Sequence, residues 1–215
     1  MKNQISVIIP TLNAAAHLQA CLDAIAGAAE VIVVDGGSTD DTLAIARRAN
    51  ARTLTAPPGR GGQMRVGAAA AQSPYLLFLH ADTILGPGWA QSPPAGQGGY
   101  YRLRFATPRR AARRLEALVR LRCRLFALPY GDQALLIAAD LLAQIGGIPD
   151  LPLMEDVALA RRLGRARLCQ LPATVTTAAT RYTHGGYIIR PLRNALCLAL
   201  YFAGLPVRYI KMLYG

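Results

Sequence analysis

The chain has 215 residues, of which 53% are hydrophobic and 17% charged, and this composition predicts one folded domain with a substantial core rather than a disordered chain. The formal net charge is +12 and comes almost wholly from arginine, since Lys2 and Lys211 are the only lysines, so an anionic ligand, an anionic membrane and nucleic acid are the partners to weigh. The four cysteines stand singly, which excludes the paired spacing of a zinc site or a dithiol redox motif, and no apolar run reaches the ~18 residues of a membrane-spanning helix.

The first predicted element is a buried strand over residues 5–9. This apolar run ends at Pro10 and is too short for a secretory signal, so together with the single cysteines it predicts a cytoplasmic protein. Apolar residues then recur at helical spacing from Leu18 to Ile25. This spacing predicts an amphipathic helix that ends near residue 26.

A second predicted strand, residues 30–34, ends in an acidic turn. Asp35 follows the strand directly, two glycines then let the backbone turn tightly, and residues 41–50 predict a helix. A short third strand near Leu54 completes a βαβ pattern, which predicts a mixed or parallel sheet with helices on both faces. An acid placed like Asp35 holds a ribose or base in many nucleotide-binding folds, and the alternative is that it closes a turn over the glycines.

A glycine-rich loop is predicted over residues 56–65, leading into a helix over residues 66–72. Backbone donors at that helix start, together with Arg60 and Arg65, would receive a diphosphate, and the alternative is a solvated loop with exposed arginines. The chain has no GxxxxGK[ST] motif and no GxGxxG motif after the first strand. The sequence therefore supports neither a P-loop nor a Rossmann dinucleotide site.

The apolar run over residues 75–79 predicts a strand that is covered on both faces. It ends abruptly in His80, Ala81 and Asp82. Ligands bind at the carboxyl edge of open α/β sheets, because the loops diverge there and leave a crevice. Asp82 is therefore a candidate functional carboxylate, and the alternative is that it only caps the following turn.

The next segment combines a predicted loop with a strongly basic helix. Residues 86–100 contain many glycines and prolines and predict an irregular loop across the crevice. Nine arginines and one acid lie between Arg102 and Arg124. An apolar stripe flanked by charge recurs there at helical spacing, at Leu115, Leu118, Val119, Arg122 and Leu125. Such a run is usually a solvated helix face, but it also suits a phospholipid head group or a polyprenyl phosphate. Nucleic acid is not expected, because no stacking aromatic side chains alternate with these arginines.

Carboxylates recur at two predicted element ends in the second half. Asp132 lies in a loop before a strand predicted over residues 134–138, where it caps a turn or takes part in a site. Glu155 and Asp156 open a predicted amphipathic helix, whose dipole alone would stabilise each acid by roughly 0.3–1 kcal/mol. A strand-like stretch over residues 168–175 follows.

The C-terminal tail, residues 190–214, is apolar and basic. It carries an uncharged run over residues 195–207 with basic residues on both sides. This pattern suits a helix in a membrane interface or a dimer contact. The alternative is a hydrophobic helix packed on the body of the protein.

Several motifs resemble glycosyltransferase family 2, whose fold is GT-A. They are SVIIPTLN at residues 6–13, VIVVDGGSTDDT at residues 31–42 and LFLHAD at residues 77–82. GRGGQM at residues 59–64, PYGDQ at residues 129–133 and PLMEDV at residues 152–157 are similar to a short bacterial subgroup, the radical-SAM/selenodomain-associated transferases 2. The resemblance covers most of the chain and is weakest over residues 90–125. It implies an α/β protein of the GT-A fold, with a mixed, mostly parallel central sheet and helices on both faces.

The resemblance implies an enzyme that transfers a sugar from a UDP- or GDP-linked donor, with inversion at the sugar and a divalent Mn²⁺ or Mg²⁺ ion bridging the diphosphate. On the donor side, it implies that Pro10 and Asn13 line the nucleoside pocket and that Asp35 contacts the base or ribose. Arg60 and Arg65 are the candidates for contact with the diphosphate.

His80, Ala81 and Asp82 stand where the family has its DXD motif. The resemblance implies that His80 and Ala81 contact the donor and that Asp82 holds the metal. Because His80 replaces the first acid, one carboxylate is left for the ion, and imidazole suits Mn²⁺ better than Mg²⁺. His80 either joins the metal ligands or packs at the strand end. His184, which lies beside two glycines, is a further candidate metal ligand.

On the acceptor side, the resemblance implies that Asp132 orients the acceptor hydroxyl. Glu155 and Asp156 match the family's ED motif, and an inverting transferase needs one carboxylate to take the acceptor's proton. We therefore assign Asp156 as the general base and Glu155 as its supporting neighbour. The QxxRW motif of processive synthases is absent, since residues 160–163 read ARRL, and this predicts transfer of one sugar only.

The predicted organisation is a GT-A domain over residues 1–189 followed by the helical tail over residues 190–214. Residues 1–85 form the half that binds the nucleotide-sugar, and residues 86–189 form the acceptor half. The expected acceptor is small or lipid-linked, at the inner face of the cell membrane, with an anionic membrane surface and a homodimer as further expected contacts. The alternative, suggested by His80, is a protein that binds a nucleotide-sugar or anionic lipid without catalysis.

Overall fold

The computed structural model describes residues 4–178 and 189–214. The strands in this part of the chain are Ile5–Thr11 (β1), Glu30–Asp35 (β2), Arg52–Thr55 (β3), Tyr75–Phe78 (β4), Thr83–Leu85 (β5), Gly98–Phe105 (β6), Leu135–Ala138 (β7) and Leu168–Thr177 (β8). The α-helices are Ala15–Ala24 (α1), Thr42–Arg48 (α2), Arg60–Ala70 (α3), Arg110–Phe126 (α4), Ala139–Gln144 (α5), Glu155–Leu163 (α6), Ile189–Phe202 (α7) and Val207–Tyr214 (α8).

All eight strands form one mixed sheet with the order β3-β2-β1-β4-β7-β6-β8-β5. Strands β1 to β4 are parallel to one another. Strand β7 runs antiparallel to both β4 and β6, whereas β6 and β8 are parallel and β5 is an antiparallel edge strand. The predicted α/β architecture with a mixed, mostly parallel sheet is therefore confirmed.

Helices cover both faces of the sheet. Because neighbouring residues of a strand point to opposite faces, β1 contributes Val7 and Ile9 to one core cluster and Ile8 to the other. Helices α1, α2 and α4 pack on the first face, and α3, α5 and α6 pack on the second. Gly67 lets α3 approach β1 closely, since a Cβ atom at this position would collide with the Ile8 side chain.

One edge of the sheet gathers the segments that carry the predicted site residues. Strands β1 and β2 end side by side, with Thr11 opposite Asp35. Phe78, at the end of β4, pairs with Leu135, at the start of β7. Because β7 is antiparallel, the loop that precedes it reaches the same edge as the segment that follows β4.

Two predicted elements have the wrong bounds. Helix α3 begins at Arg60 rather than at residue 66, so Arg60 and Arg65 lie within the helix and not in a loop before it. Strand β6 begins at Gly98, inside the stretch predicted as an irregular loop across the crevice. Trp89 of that stretch is buried in the core, and its carbonyl oxygen accepts a hydrogen bond from the Tyr101 hydroxyl at 2.6 Å. Core packing therefore fixes this segment despite its glycines and prolines.

Helix α4 is the predicted basic helix, and Leu115 and Val119 of its predicted apolar stripe are buried, but the rest of that stripe is not. Leu118 and Leu125, predicted to lie in the apolar stripe, are exposed. The buried residues are Ala112, Leu115, Glu116, Val119 and Cys123. Glu116, the only acid of the segment, accepts a hydrogen bond from the Phe105 backbone N–H at 2.9 Å and pairs with two arginines. The acid therefore joins α4 to β6.

The C-terminal tail forms the two helices α7 and α8. Cys197 of α7 and Ile210 of α8 are fully buried against Leu128 and the α6 residues Val157 and Ala160. The tail thus packs on the body of the protein through one side. Within residues 4–178 and 189–214, no helix combines the length and the apolar character that are needed to cross a membrane.

Candidate functional site

A crevice of about 440 Å³ opens at the carboxyl edge of β1 and β4. Its lining combines the end of β1, the start of α1, the start of α3, the segment after β4 and the start of α6. The lining residues are Pro10, Thr11, Leu12, Asn13, Ala14, His17, Gly59, Arg60, Gln63, His80, Ala81, Asp82, Pro152 and Glu155. Six predicted donor-side and metal residues, namely Pro10, Asn13, Arg60, His80, Ala81 and Asp82, are therefore brought together around one cavity.

Asp35 is buried at the end of β2 and engaged by the protein itself. Its carboxylate accepts hydrogen bonds from the backbone N–H groups of Gly37 and Ser38, at 2.9 and 2.8 Å, and from the Thr11 hydroxyl at 3.0 Å. Burial raises the pKa of Asp35, but the hydrogen bonds from Ser38, Thr11 and Gly37 outweigh burial and lower the pKa overall. Asp35 therefore shapes the turn after β2, and its contact with a base or ribose stays a prediction.

Asn13 and Gln63 fix the crevice wall at the same turn. Asn13 has a left-handed backbone (φ 51°), and its side-chain oxygen accepts a hydrogen bond from the Thr39 backbone N–H at 2.9 Å. The buried Gln63 donates to the carbonyl oxygens of Thr11 and Val34, at 2.7 and 2.8 Å, and so ties α3 to the ends of β1 and β2. Sequence reasoning missed Gln63 as an individual site residue, although it lies in the GRGGQM motif.

Arg60, the first residue of α3, contacts three other predicted site residues. Its Nε donates to the Glu155 carboxylate, its Nη1 lies 3.0 Å from His80 Nε2, and its Nη2 lies 3.9 Å from Asp156 Oδ2. Burial lowers the pKa of Arg60, but the carboxylates of Glu155 and Asp156 outweigh burial and raise the pKa overall. Arg60 is therefore a fixed cation between the crevice and the acids of α6.

Arg65 lies elsewhere. Its Nη1 contacts Asp150 Oδ1 at 2.5 Å, and both side chains are substantially exposed. With Val66 and Asp150, Arg65 lines a separate surface groove. The structure thus separates Arg65 from Arg60, and the predicted diphosphate contact of Arg65 has no support from its position.

The segment from His80 to Asp82 is held from two sides. The carbonyl oxygen of His80 accepts from the Cys21 thiol at 3.5 Å, and burial, reinforced by the charge of Asp82, raises the pKa of Cys21 to about 12. The carbonyl oxygen of Asp82 accepts from the backbone N–H of Ala178 at 3.3 Å. Among the described residues, the Asp82 side chain accepts one long hydrogen bond, from the Thr83 hydroxyl at 3.4 Å. Asp82 also lines the crevice.

The side chains around Asp82 do not form a complete metal cage. No group of three or more potential metal-binding side chains occurs within residues 4–178 and 189–214. His184, predicted as a metal ligand, lies outside the described residues. One carboxylate is nevertheless compatible with Mg²⁺ or Mn²⁺, because such ions are often held by one or two carboxylates together with substrate phosphates.

A smaller cavity of about 90 Å³ adjoins the crevice, with which it shares part of its lining. It is lined by Arg60, His80, Asp82, Tyr130, Gly131, Asp132, Asp156, Thr177, Ala178, Arg190 and Tyr214. Three of these residues, Arg60, His80 and Asp82, line the larger crevice as well. The two cavities therefore meet at a cation, an imidazole and a carboxylate.

Asp156 is oriented by two backbone donors on this second side. Its Oδ2 accepts from the Gly131 N–H at 2.7 Å, and its Oδ1 accepts from the Val157 N–H at 2.8 Å. A Cβ atom on Gly131 would lie 2.6 Å from His80 Nε2, so only glycine allows this approach. Asp132 follows in the same loop, and its buried Oδ1 has no hydrogen-bond partner among the described residues. Burial raises the pKa of Asp132; the charge of Arg122 opposes this effect, and the charge of Asp156 adds to it.

Arg122 and Gln133 hold the loop that carries Gly131. The Arg122 guanidinium lies 3.4 Å from the centre of the Tyr130 ring, and its Nη2 donates to Gln133 Oε1 at 2.9 Å. Gln133 in turn donates to the Tyr101 carbonyl oxygen at 3.1 Å. Arg122 lies at the spacing of the apolar stripe predicted for the basic helix, and its side chain is directed inward to the loop.

Residues 6–92 match the protein family described as Glycosyl transferase family 2. An uncharacterized glycosyltransferase of Mycobacterium tuberculosis is 36% identical over 85 residues, which are 39% of each chain. A PGL/p-HBAD biosynthesis glycosyltransferase of Mycobacterium bovis is 45% identical over 91 residues, which are 37% of this chain and 36% of that protein. The chain thus spans about two fifths of the length of these curated relatives.

Solved structures of glucosyl-3-phosphoglycerate synthase from Mycobacterium tuberculosis are similar over a larger part of the chain. The complex with Mn²⁺, UDP and glucosyl-3-phosphoglycerate has a TM-score of 0.58 and 25% identity, covering 81% of this chain and 70% of that chain. The complex with Mg²⁺ and UDP has a TM-score of 0.58, with 24% identity over 81% of this chain and 69% of that one. These similarities confirm the predicted GT-A fold, and residues 6–92 are similar to glycosyltransferase family 2.

Proposed function

We propose that this protein transfers one sugar from a UDP-linked donor to a hydroxyl group of an acceptor, with inversion and with the help of a divalent cation. The observation that carries the proposal is the meeting of the two cavities at Arg60, His80 and Asp82, with Asp156 on the side of the smaller cavity. An inverting transferase needs such an arrangement, because the acceptor oxygen must reach the donor's anomeric carbon on the side opposite the departing diphosphate.

The larger crevice is the proposed donor site. Its wall near Pro10 and Asn13 would take the nucleoside, and the amino end of α3 would face the diphosphate, where backbone donors and the helix dipole favour an anion. UDP rather than GDP is preferred here because the similar synthase was crystallised with UDP. Asp35 would act by holding the turn that shapes this wall.

Asp82 is the proposed anchor of the cation, together with the donor's own phosphates. When bound, an Mn²⁺ or Mg²⁺ ion would stabilise the negative charge of the diphosphate. His80 is assigned a different role. Arginine can only donate, so the contact from Arg60 requires His80 Nε2 to accept, and His80 thereby helps to fix the guanidinium. His184 stays a candidate further ligand.

Arg60 and Asp156 would carry the reaction from the two sides of the anomeric carbon. The acceptor oxygen attacks this carbon, its proton passes to the Asp156 carboxylate, and the bond from the carbon to the diphosphate oxygen breaks, releasing UDP. Arg60 would balance the charge that develops on the departing diphosphate. Glu155 would hold Arg60 in place through their ion pair, in addition to its predicted support of Asp156.

The lining of the smaller cavity suits an acceptor that carries an anionic group. Arg190 lines the smaller cavity, and the similar synthase was crystallised with a phosphate-bearing product. Asp132, in the same cavity, is the proposed contact for the acceptor hydroxyl. A small phosphorylated acceptor and a lipid-linked phosphate share this chemistry. The proposal includes the radical-SAM/selenodomain-associated subgroup, a donor half over residues 1–85 and an acceptor half over residues 86–189. It also includes a helical tail over residues 190–214 and a location at the inner face of the cell membrane.

Release of UDP from a panel of UDP-sugars, with Mn²⁺ and with cell extract as the acceptor source, tests the proposal. We expect turnover that requires the cation and that falls roughly 10²–10⁴-fold in Asp156→Asn. Asp150→Asn is the matched control, since this acid is exposed and lies outside both cavities. Tight binding of UDP-sugars without any turnover would support the non-catalytic alternative instead.

A further inference from the structure

The net positive charge of the protein comes from one half of the sequence. Residues 1–101 contain six basic and six acidic side chains, so the whole net charge of +12 lies in residues 102–215. No acid occurs after Asp156. A surplus of one sign over half of a chain indicates an anionic partner for that half.

Helix α7 has apolar side chains on two sides. Cys197 is fully buried against the body of the protein, whereas Ile189, Leu192 and Leu196 are 73, 64 and 55% exposed. Their spacing of three and four residues places these three side chains on one stripe, turned away from Cys197. A helix that packs on one side and presents leucine and isoleucine on the other leaves an apolar strip uncovered.

Helix α8 also carries exposed apolar side chains. Ile210 is buried, whereas Met212 and Leu213 are 80 and 52% exposed, beside the exposed bases Arg208 and Lys211. The hairpin of α7 and α8 therefore combines an apolar strip with positive charge. These are the two features that allow a helix to lie at a membrane surface.

The carboxyl end of α4 adjoins the hairpin. Leu128, just after α4, packs in the same cluster as Cys197 and Ile210. Leu125 and Phe126, at the end of α4, are 52 and 64% exposed. The exposed apolar residues of α4 and of the hairpin therefore occur on elements that share one cluster.

We propose that the α7–α8 hairpin, together with the end of α4, docks on an anionic lipid bilayer. A second copy of the chain fits less well, because two such surfaces of the same sign would repel each other. Nucleic acid would match the charge but offers no apolar layer for Ile189, Leu192 and Met212. An anionic bilayer matches both the charge and the apolar strip, at a depth suited to an interfacial helix.

Docking would also orient the proposed active site. Arg190 and Tyr214, at the start of α7 and the end of α8, line the smaller cavity. An acceptor anchored in the bilayer would therefore reach that cavity past the docked hairpin. This consequence for the acceptor rests on the proposed transferase function, whereas the docking itself does not.

Flotation of the full chain with vesicles tests the docking directly. Vesicles of equal parts phosphatidylcholine and phosphatidylglycerol are compared with vesicles of phosphatidylcholine alone, at low and high salt. We expect binding to the anionic vesicles that is lost at high salt. The double variant Arg208→Gln with Lys211→Gln should bind roughly thirty-fold more weakly, since each base near an anionic surface contributes about 1 kcal/mol.

Two matched controls separate the surface from a general effect of charge or polarity. Arg47→Gln with Arg48→Gln removes two exposed charges from α2, and it should leave vesicle binding unchanged. Leu192→Ser with Met212→Ser should weaken binding, whereas Val66→Ser with Ile84→Ser, at exposed apolar positions on other elements, should not.

Equal weakening by both charge variants, equal binding to neutral and anionic vesicles, or a stable dimer that Leu192→Ser abolishes would each overturn the proposal. Binding of UDP with Mn²⁺, measured without vesicles, is followed in parallel. Loss of docking with intact UDP binding would therefore leave the proposed donor site standing, and the reverse result would leave the docking surface standing.

Discussion

Replacing Arg60 with methionine should both destabilise the protein and abolish transfer. The Glu155 side chain is 3% exposed and loses its ion-pair partner in this variant, whereas Arg60 itself is 33% exposed. Breaking a buried ion pair costs about 3–5 kcal/mol, and because water already reaches Arg60 we expect a smaller loss, about 2–3 kcal/mol. For a chain of this size the melting point would fall by roughly 4–12 °C.

The double variant Arg60→Met with Glu155→Leu separates stability from function. Removing both partners of a buried pair is often close to neutral, so its free energy of unfolding should lie within about 1 kcal/mol of the wild type, while transfer remains lost. Arg65→Met is the matched control, since its partner Asp150 is 83% exposed, and it should change stability by less than about 0.5 kcal/mol. Urea unfolding followed by circular dichroism and UDP release give the two readouts. A double variant as unstable as Arg60→Met, or one that transfers sugar normally, would refute the role assigned to the pair.

Three further outcomes are expected. Gly131→Ala should lower kcat at least about tenfold, because its Cβ atom would displace His80, which helps to fix Arg60 where the two cavities meet. An unchanged kcat in steady-state kinetics would contradict this. The pKa of Asp35 is lowered in the folded state, so the stability that its carboxylate contributes is present above its unfolded pKa of about 3.9 and is lost as the pH falls through the folded value. The difference in unfolding free energy between the wild type and Asp35→Asn, measured by urea unfolding, should therefore narrow below about pH 4. A difference that does not depend on pH would argue against the hydrogen bonds to the Asp35 carboxylate. Burial raises the pKa of Cys21 to about 12, so iodoacetamide should label native Cys21 far more slowly than the partly exposed Cys169, and comparable labelling in peptide mapping would show that Cys21 is not sealed in the core.

The elements predicted well from the sequence are those whose signal is local. Strands β1, β2 and β4 are apolar runs of the right length, and α6 begins with two acids and has a clear helical period. Helix α3 was predicted to start too late because glycine disfavours helix interiors, whereas here Gly61 lies in the first turn and packs closely on the backbone of Pro149 and Leu151. Strand β6 was missed because its neighbours are rich in glycine and proline. In both places, tertiary packing overrides the local preference.

The members of the candidate site were found by resemblance, but their connections were not. The pairing of Arg60 with Glu155 joins residues 95 positions apart and depends on the course of the whole chain. The separation of Arg65 from Arg60 follows from helix geometry, since five residues turn the side chain by about 140°, but only once both residues are known to lie in α3. The spacing of Arg122 with apolar residues of α4 distinguished it from its arginine neighbours, but its contacts with Tyr130 and Gln133 depend on the fold of the following loop.

The affinity of UDP measured by calorimetry, with and without Mn²⁺, for the wild type and for Asp82→Asn tests the central claim most directly. If Asp82 anchors a cation that bridges the diphosphate, Mn²⁺ should strengthen UDP binding to the wild type by at least about tenfold and should have little effect on Asp82→Asn. Equal enhancement by Mn²⁺ in both proteins would contradict the claim that Asp82 holds the metal.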